Sequence, residues 1–385
     1  MEYEFPLEGN LQKQEGKDVK ALLKNTEDAT FPKLPQNKLF PIGIIGAGFI
    51  VQNCHLVAYK KAGFNPVAIS SLSVEKCNLV VAQHGLKKVY ADWHELIDDE
   101  EIEVIDIAVP PHLQLDIVKY ACSKTHIKGI LCQKPSFMTY EGAKEIVQLG
   151  KDSGKPIAVN SNMRYDQSIR ALKYFLDQNL MGDPVLATFE QRAVSHWQNF
   201  LEQYQKLTIF SFSIHQLDIL RYLFGNPKAI TAVCRTDPRT KFKHTDGIVQ
   251  LTYQYENGMR ATIFDDVWAW PGEPCKKDTY SRWRVEGLDG MALGEIGWPQ
   301  YPEICPSTFK ATCKKYPNLW LEPKWDTAWF PDAFIGTMAN LLCTIEEHSQ
   351  PEVTAEDHSI SIACAEACYI SIAEQRTVLL EEILF

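Results

Sequence analysis

The chain has 385 residues, 45% of them hydrophobic, which is more than one core usually serves and predicts two domains. A net charge of −10 leaves no basic footprint, which argues against nucleic acid and anionic membrane as partners. No apolar run approaches the roughly 20 residues that span a bilayer, and Met1-Glu2-Tyr3-Glu4 lacks the basic and apolar regions of a secretory leader, so a cytoplasmic protein is expected.

Residues 1–37 are polar apart from a short helical pattern at Val19-Lys20-Ala21-Leu22-Leu23, and read as an extension, either an arm on a neighbouring subunit or a mobile segment. Pro41-Ile42-Gly43-Ile44-Ile45 then reads as a buried strand turning sharply into a helix at Gly46-Ala47-Gly48-Phe49-Ile50-Val51. Glycines there permit a tight turn and let backbone amides, backed by the positive end of the helix, approach a pyrophosphate. Val51 stands where such a turn usually has its third small residue, so closer packing of helix on strand is not expected. Further strands follow at Pro66 to Ser70, weakly at Val89-Tyr90, then at Glu103 to Val109, Lys128 to Cys132 and Pro156 to Asn160, with helical patterns between them. This alternation implies right-handed crossovers and a doubly wound parallel sheet with its ligand at the carboxyl edge. Residues 38–160 are therefore expected to form a dinucleotide-binding Rossmann domain.

Cofactor choice rests on the end of the second strand, where an acid would hold the ribose hydroxyls of NAD and repel a 2′-phosphate. Ile69-Ser70-Ser71-Leu72-Ser73 has no acid, and its hydroxyls with nearby Lys76 suit a phosphate. NADP or NAD is expected, with NADP slightly favoured. After the fifth strand comes Gln133-Lys134-Pro135, which places Lys134 beside the nucleotide crevice. Its ammonium could donate to a substrate hydroxyl or share in proton transfer if its pKa is lowered.

After Asn160 the pattern changes to one helix followed by long strands, which begins a second domain over 161–385. Strands are expected near Val185 to Ala193, Ala229 to Arg235 and Arg282 to Glu286. A hairpin from Gly247 to Val267 turns at Glu256-Asn257-Gly258. Together they make a large, mostly antiparallel sheet with one open face. Tyr253, Tyr255 and Trp268 make part of it aromatic, which suggests a subunit interface for a homodimer or homotetramer. Gln191, His196 and Trp197 lie on or just after the first of these strands and are candidates to line a substrate pocket.

On a helix ended by Gly225, Ser211, His215 and Asp218 fall at i, i+4 and i+7, hence on one face. A near-neutral imidazole suits removal of a hydroxyl proton. Two helices, about Ala333 to His348 and Ala355 to Glu374, close the chain. The eleven cysteines include no Cys-x-x-Cys pair, and Cys364 and Cys368, one turn apart, have no ligand pair at matching spacing elsewhere. They read as core residues and no metal is expected.

With these motifs in this order the chain resembles the Gfo/Idh/MocA family of nicotinamide-dependent oxidoreductases from Phe40 onward. The resemblance is carried by Gly46-Ala47-Gly48-Phe49-Ile50, Val109-Pro110-Pro111, Gln133-Lys134-Pro135 and Asn162-Met163-Arg164-Tyr165. It continues through His215-Gln216-Leu217-Asp218, Leu223-Phe224-Gly225 and Trp329-Phe330-Pro331-Asp332-Ala333-Phe334. It implies a Rossmann domain plus an α/β domain with an open sheet, and Lys134 and His215 as the catalytic pair. Cofactor contacts are then expected from Gly46, Gly48, Phe49, Ile50, Ser70, Ser71, Lys76, Pro110, Gln133 and Lys134. Substrate contacts are expected from Lys134, Arg164, Gln191, Trp197, Ser211 and His215. Ser211 and Gln133 stand where the family commonly has acids, which removes negative charge near the reaction centre. The implied activity is hydride transfer between nicotinamide and a secondary alcohol or ketone of a sugar, polyol or related cyclic compound. Two alternatives stay open: redox-neutral lyase, glycosidase or epimerase chemistry through a transient keto-sugar, and a non-catalytic dinucleotide-sensing regulator.

Overall fold

A computed structural model describes residues 9–192, 202–240, 242–266, 279–298, 303 and 305–385. The first domain is built on six parallel strands: β1 (Pro41–Ile45), β2 (Asn65–Ser70), β3 (Lys88–Tyr90), β4 (Val104–Ile107), β5 (Gly129–Cys132) and β6 (Ile157–Val159). They pair in the order β3-β2-β1-β4-β5-β6, the doubly wound arrangement with its switch point between β1 and β4. Their runs are mostly apolar because both faces are covered: Ile42 and Ile44 enter one core cluster, while Ile45, Ile105 and Ile107 enter the other.

The helices are α1 (Gly9–Ala29), α2 (Leu56–Ala62), α3 (Val74–His84), α4 (Trp93–Asp98), α5 (Pro111–Cys122), α6 (Tyr140–Ser153) and α7 (Gln167–Asp177). They continue with α8 (Ile214–Phe224), α9 (Trp329–Glu347), α10 (Ala355–Glu374) and α11 (Glu381–Leu384). Ser73, Asp92, Thr139, Asp166 and Thr354 cap α3, α4, α6, α7 and α10 by accepting a first-turn amide. Helix α1 corrects the expectation of a free or donated arm. Val19, Leu22 and Leu23 pack on the chain's own core, and Glu27 accepts the Lys324 amide at 3.1 Å.

The second domain carries β7 (Pro184–Arg192), β8 (Ala229–Arg235), β9 (Ile248–Gln254), β10 (Arg260–Asp266), β11 (Tyr280–Gly287), β12 (Gly290–Glu295), β13 (Thr308–Cys313), β14 (Tyr316–Leu321) and β15 (Val378–Leu379). They form one sheet in the order β14-β13-β12-β11-β7-β10-β9-β8-β15, antiparallel except for β7 beside β10. The hairpin turns as expected, with Gln254 opposite Arg260 and Gly258 at φ +88°.

Tyr253 and Tyr255 do not form an exposed patch. They share the buried phase of the strand with Val249 and Leu251, and the Tyr255 hydroxyl donates to the Leu220 carbonyl of α8. The outer face instead carries Val233, Gln250 and Arg284, with the Arg192 guanidinium over the Phe264 ring and that of Arg282 over Tyr280. Trp268 lies outside the described residues. Cys364 and Cys368 are buried in the core face of α10.

The two terminal helices cross back to the first domain. Gly129 lets α9 lie directly on β5, since a Cβ there would stand 2.8 Å from Ile345. The Val159 amide also donates to the Val353 carbonyl at the edge of the parallel sheet.

Candidate active site

The carboxyl ends of β1, β2, β4 and β5 open into a cleft of about 1200 Å³ whose far wall comes from α8 and α9. At the end of β1 the chain turns at Gly46, whose φ of +121° and close approach to β4 admit no side chain: a Cβ would lie 2.3 Å from the Ala108 carbonyl oxygen. Gly48 differs, because a Cβ there would meet nothing within 4 Å and would project into open space on the turn. The helix that follows is wound as a wide π turn over Val51–His55 before becoming regular at α2.

Gly46, Gly48, Phe49, Ile50, Ser70, Ser71, Lys76, Pro110, Gln133 and Lys134 all line this one cleft, so the structure brings together every residue expected at the cofactor. The Ser70 side chain is nearly closed off, and its carbonyl accepts the Gly46 amide at 2.8 Å, which ties β2 to the turn. The wall continues through Asp92, Trp93 and His94, which pattern reading missed because they start a short helix after the weakest strand. Asp92 caps that helix and accepts the His94 ring nitrogen at 2.8 Å, while the Trp93 and His94 rings stack at 3.5 Å. On the opposite side His112 of α5 meets the Tyr204 hydroxyl at 2.5 Å, joining the two domains across the cleft.

Lys134 and His215 face the same space. The Lys134 Nζ donates to the Ser211 carbonyl at 2.6 Å, and enclosure by the cleft walls brings its pKa down to about 7. Burial, with the charges of Lys134 and of His358 behind it, holds the His215 imidazole well below its ordinary value, so it is neutral at pH 7. Among the described residues the His215 ring has no hydrogen-bond partner, and it stands edge-on to Trp329 with centroids 5.1 Å apart. Asn162, Trp298, Trp329, Phe330 and Phe334 complete this end of the cleft. An amine near neutrality beside a neutral imidazole is an arrangement suited to moving one proton to or from a bound hydroxyl.

A family profile described as "Oxidoreductase family, NAD-binding Rossmann fold" matches residues 40–161, and the "GFO/IDH/MocA C-terminal domain" profile matches residues 143–293. The chain belongs to the Gfo/Idh/MocA oxidoreductase family. Among its relatives is a D-apiose dehydrogenase of Paraburkholderia graminis, 23% identical over 90% of this chain and 91% of that one. An Agrobacterium radiobacter oxidoreductase solved with NAD+, L-tartaric acid and magnesium has a TM-score of 0.75 at 22% identity, covering 89% of this chain and 99% of that one. A Desulfitobacterium hafniense oxidoreductase described as NADPH-dependent has a TM-score of 0.77 at 18% identity, covering 91% of this chain and all of that one. These structural likenesses establish the fold.

In this Gfo/Idh/MocA protein the residues fit a nicotinamide dinucleotide: the open Cβ position of Gly48 leaves backbone exposed at the phosphate turn, and the lining continues unbroken to Lys134. Two expected substrate residues are not brought to the cleft. Arg164 is buried and forked onto Asp218, at 2.6 and 2.7 Å, with Asp357 at 2.5 Å. It sits two residues beyond Asn162 in a single 3₁₀ turn and points the other way. Gln191 is fully buried beneath α8, where its Oε1 accepts from Gln216 at 3.1 Å, because strand alternation puts it in the inward phase with Ala187 and Phe189. Asp218 does not join Ser211 and His215 at the cleft either. Three residues after His215 on α8, it is buried against the Arg164 guanidinium and the Ser361 hydroxyl. Trp197 and His196 lie outside the described residues.

Proposed function

We propose that this protein transfers a hydride between NAD(P) and a secondary alcohol or ketone on a sugar, polyol or related cyclic compound. The observation that carries the reading is Lys134, with a pKa of about 7, beside neutral His215 on the same cleft that begins at the glycine turn. A bound nicotinamide supplies hydride acceptance and donation. In the oxidising direction Lys134 takes the hydroxyl proton as the carbinol carbon becomes a carbonyl, and the neutral His215 ring donates its one N–H to the same oxygen and orients it. This reverses the expected division of labour, since an imidazole held far below neutrality is the weaker base of the two. Trp298, Trp329 and Phe330 offer apolar surface to the carbons of a ring, and Ser211 and Asn162 offer polar contacts. Likeness to a sugar dehydrogenase supports the substrate class.

For the cofactor we favour NADP slightly. Ser71, Ser73 and Lys76 line the cleft after β2, and the carboxylate of Asp92 beside them is already engaged by His94. Self-association through the outer face of the large sheet, in a cytoplasmic setting, completes the reading. Among the described residues no helix is long and apolar enough to cross a membrane. The test is reduced-nicotinamide absorbance while purified protein meets NAD+ or NADP+ and a panel of sugars, polyols and cyclic alcohols. Cofactor-dependent absorbance with one member supports the proposal. Product formation without net absorbance change, or no turnover across the panel in either direction, overturns it.

A further inference from the structure

Directly behind Lys134 runs a buried polar chain that the proton transfer above does not use. Asp106 sits in the middle of β4, in an otherwise apolar strand, and is 1% exposed. Its Oδ2 accepts the Tyr59 hydroxyl at 2.7 Å and pairs with the His55 Nδ1 at 2.7 Å, while its Oδ1 has no partner. His55, also 1% exposed, closes the wide turn after the glycine loop and turns its Nε2 toward two amides, Asn160 Nδ2 at 3.0 Å and Gln133 Nε2 at 3.3 Å. Both amides are fixed by their other ends: Gln133 Oε1 accepts the Lys134 amide at 2.9 Å, and Asn160 Oδ1 accepts Asn162 Nδ2 at 3.3 Å. A ring nitrogen that accepts from two amides carries no proton, so the His55 proton sits on Nδ1 and donates to Asp106.

Two branches leave this imidazole. One passes through Gln133 to the backbone of Lys134. The other passes through Asn160 and Asn162 to Trp329, whose Nε1 donates to Asn162 Oδ1 at 2.7 Å and whose ring meets the edge of His215. A buried carboxylate with an orphan oxygen is a poor way to stabilise a sheet, since apolar side chains of similar volume often do better. What such a network supplies is orientation. Resting on the acid–base reading of Lys134 and His215, we infer that His55 is a positioning residue: held by Asp106, it orients Gln133 and Asn160 and thereby sets where the two reacting side chains stand.

The test uses the full chain with His55→Leu, which removes the acceptor, and His55→Gln, whose carbonyl oxygen can take the place of Nε2. Thermal unfolding, cofactor Kd by fluorescence, kcat and KM are measured. Acylation of Lys134 at fixed pH is followed by peptide mass spectrometry, with Lys76 in the same digest as reference. In His55→Leu, kcat should fall about tenfold or more, with KM and cofactor Kd unchanged and Lys134 acylation altered relative to Lys76. His55→Gln should recover most of the kcat and the original acylation ratio. Equal losses in both variants, an unchanged Lys134 ratio, or a kcat loss that merely tracks melting temperature and Kd would overturn the inference. Should His55→Leu fail to fold, Gln133→Met, which cuts the Lys134 branch alone, carries the same expectation for the Lys134 acylation ratio, read without cofactor. If the wild type turns over no substrate, the proposed reaction fails while the acylation ratios still decide the positioning role.

Discussion

Gly46 and Gly48 stand two residues apart in the dinucleotide fingerprint but in very different surroundings, so replacing each separates the integrity of the turn from the binding of the cofactor. In Gly46→Ala the new Cβ would lie 2.3 Å from the Ala108 carbonyl oxygen and 2.9 Å from its carbon, at a φ of +121° that side-chain-bearing residues rarely adopt. Both obstacles are backbone and cannot rotate away. Strain of this kind is on the order of 1–3 kcal/mol, before any displacement of β1 from β4. A fall in melting temperature of roughly 5–10 °C follows for a domain of this size. In Gly48→Val the Cβ meets nothing within 4 Å and φ is outside the left-handed region, so stability should change by less than about 1 kcal/mol. The side chain, however, projects from the phosphate turn. Losing two charge-assisted bonds to a pyrophosphate at about 1.5–3 kcal/mol each weakens binding by about 10²-fold or more. Thermal unfolding of the cofactor-free proteins and fluorescence titration with NAD+ and NADP+ measure the two effects. A Gly46→Ala protein as stable as wild type, or a Gly48→Val protein that binds normally, would refute the reasoning.

Lys134→Ala and His215→Ala should each fold normally and lose about 10²-fold or more in turnover. The wild-type oxidation rate should rise with pH through about 7, as Lys134 sheds its proton, and Lys134→Ala should lose that limb. In Ser211→Asp the added carboxylate should raise the Lys134 pKa and move the limb upward; an unmoved profile would mean that the two groups do not share a site. Ser71→Asp should weaken NADP much more than NAD in the same fluorescence titration, and equal losses would remove Ser71 from the phosphate site. Burial raises the Asp265 carboxyl to about 7 against the pull of Ser213 and Gln216, so the folded chain holds a proton that the unfolded chain releases. That contribution is fully present below the ordinary carboxyl range and is lost as pH rises through about 7, with a magnitude on the order of a few kcal/mol. Asp265→Asn should therefore gain stability relative to wild type between pH 5 and pH 8 in urea unfolding, and a constant difference would contradict the shift.

All six parallel strands, the glycine turn, the Asn-Gly hairpin and the change of pattern after Asn160 were legible in the amino-acid order, because period, β-branching and turn chemistry act over a few residues. The places of Lys134 and His215 in the chain were legible for the same reason, one following directly on a strand and the other on a helix with a clean glycine stop, and the fold brings both to one cleft. Partnerships between polar groups were not. Arg164 and Gln191 carry groups fit for a substrate, yet the ion pair with Asp218 and Asp357 and the inward phase of β7 take them out of the cleft. Helical spacing puts Asp218 on the face of Ser211 and His215, yet its pairing with Arg164, 54 residues earlier in the chain, makes it part of the scaffold. The lone acid in Val104-Ile105-Asp106-Ile107 was a visible irregularity, but its partner His55 lies 51 residues earlier and meets it only when α2 folds onto β4. Local chain preferences extend over a turn or a strand, whereas a buried charge is satisfied by whichever group packing delivers. The elements were therefore determined by the sequence itself, and the assignment of each polar side chain to substrate or to scaffold was left to the tertiary structure.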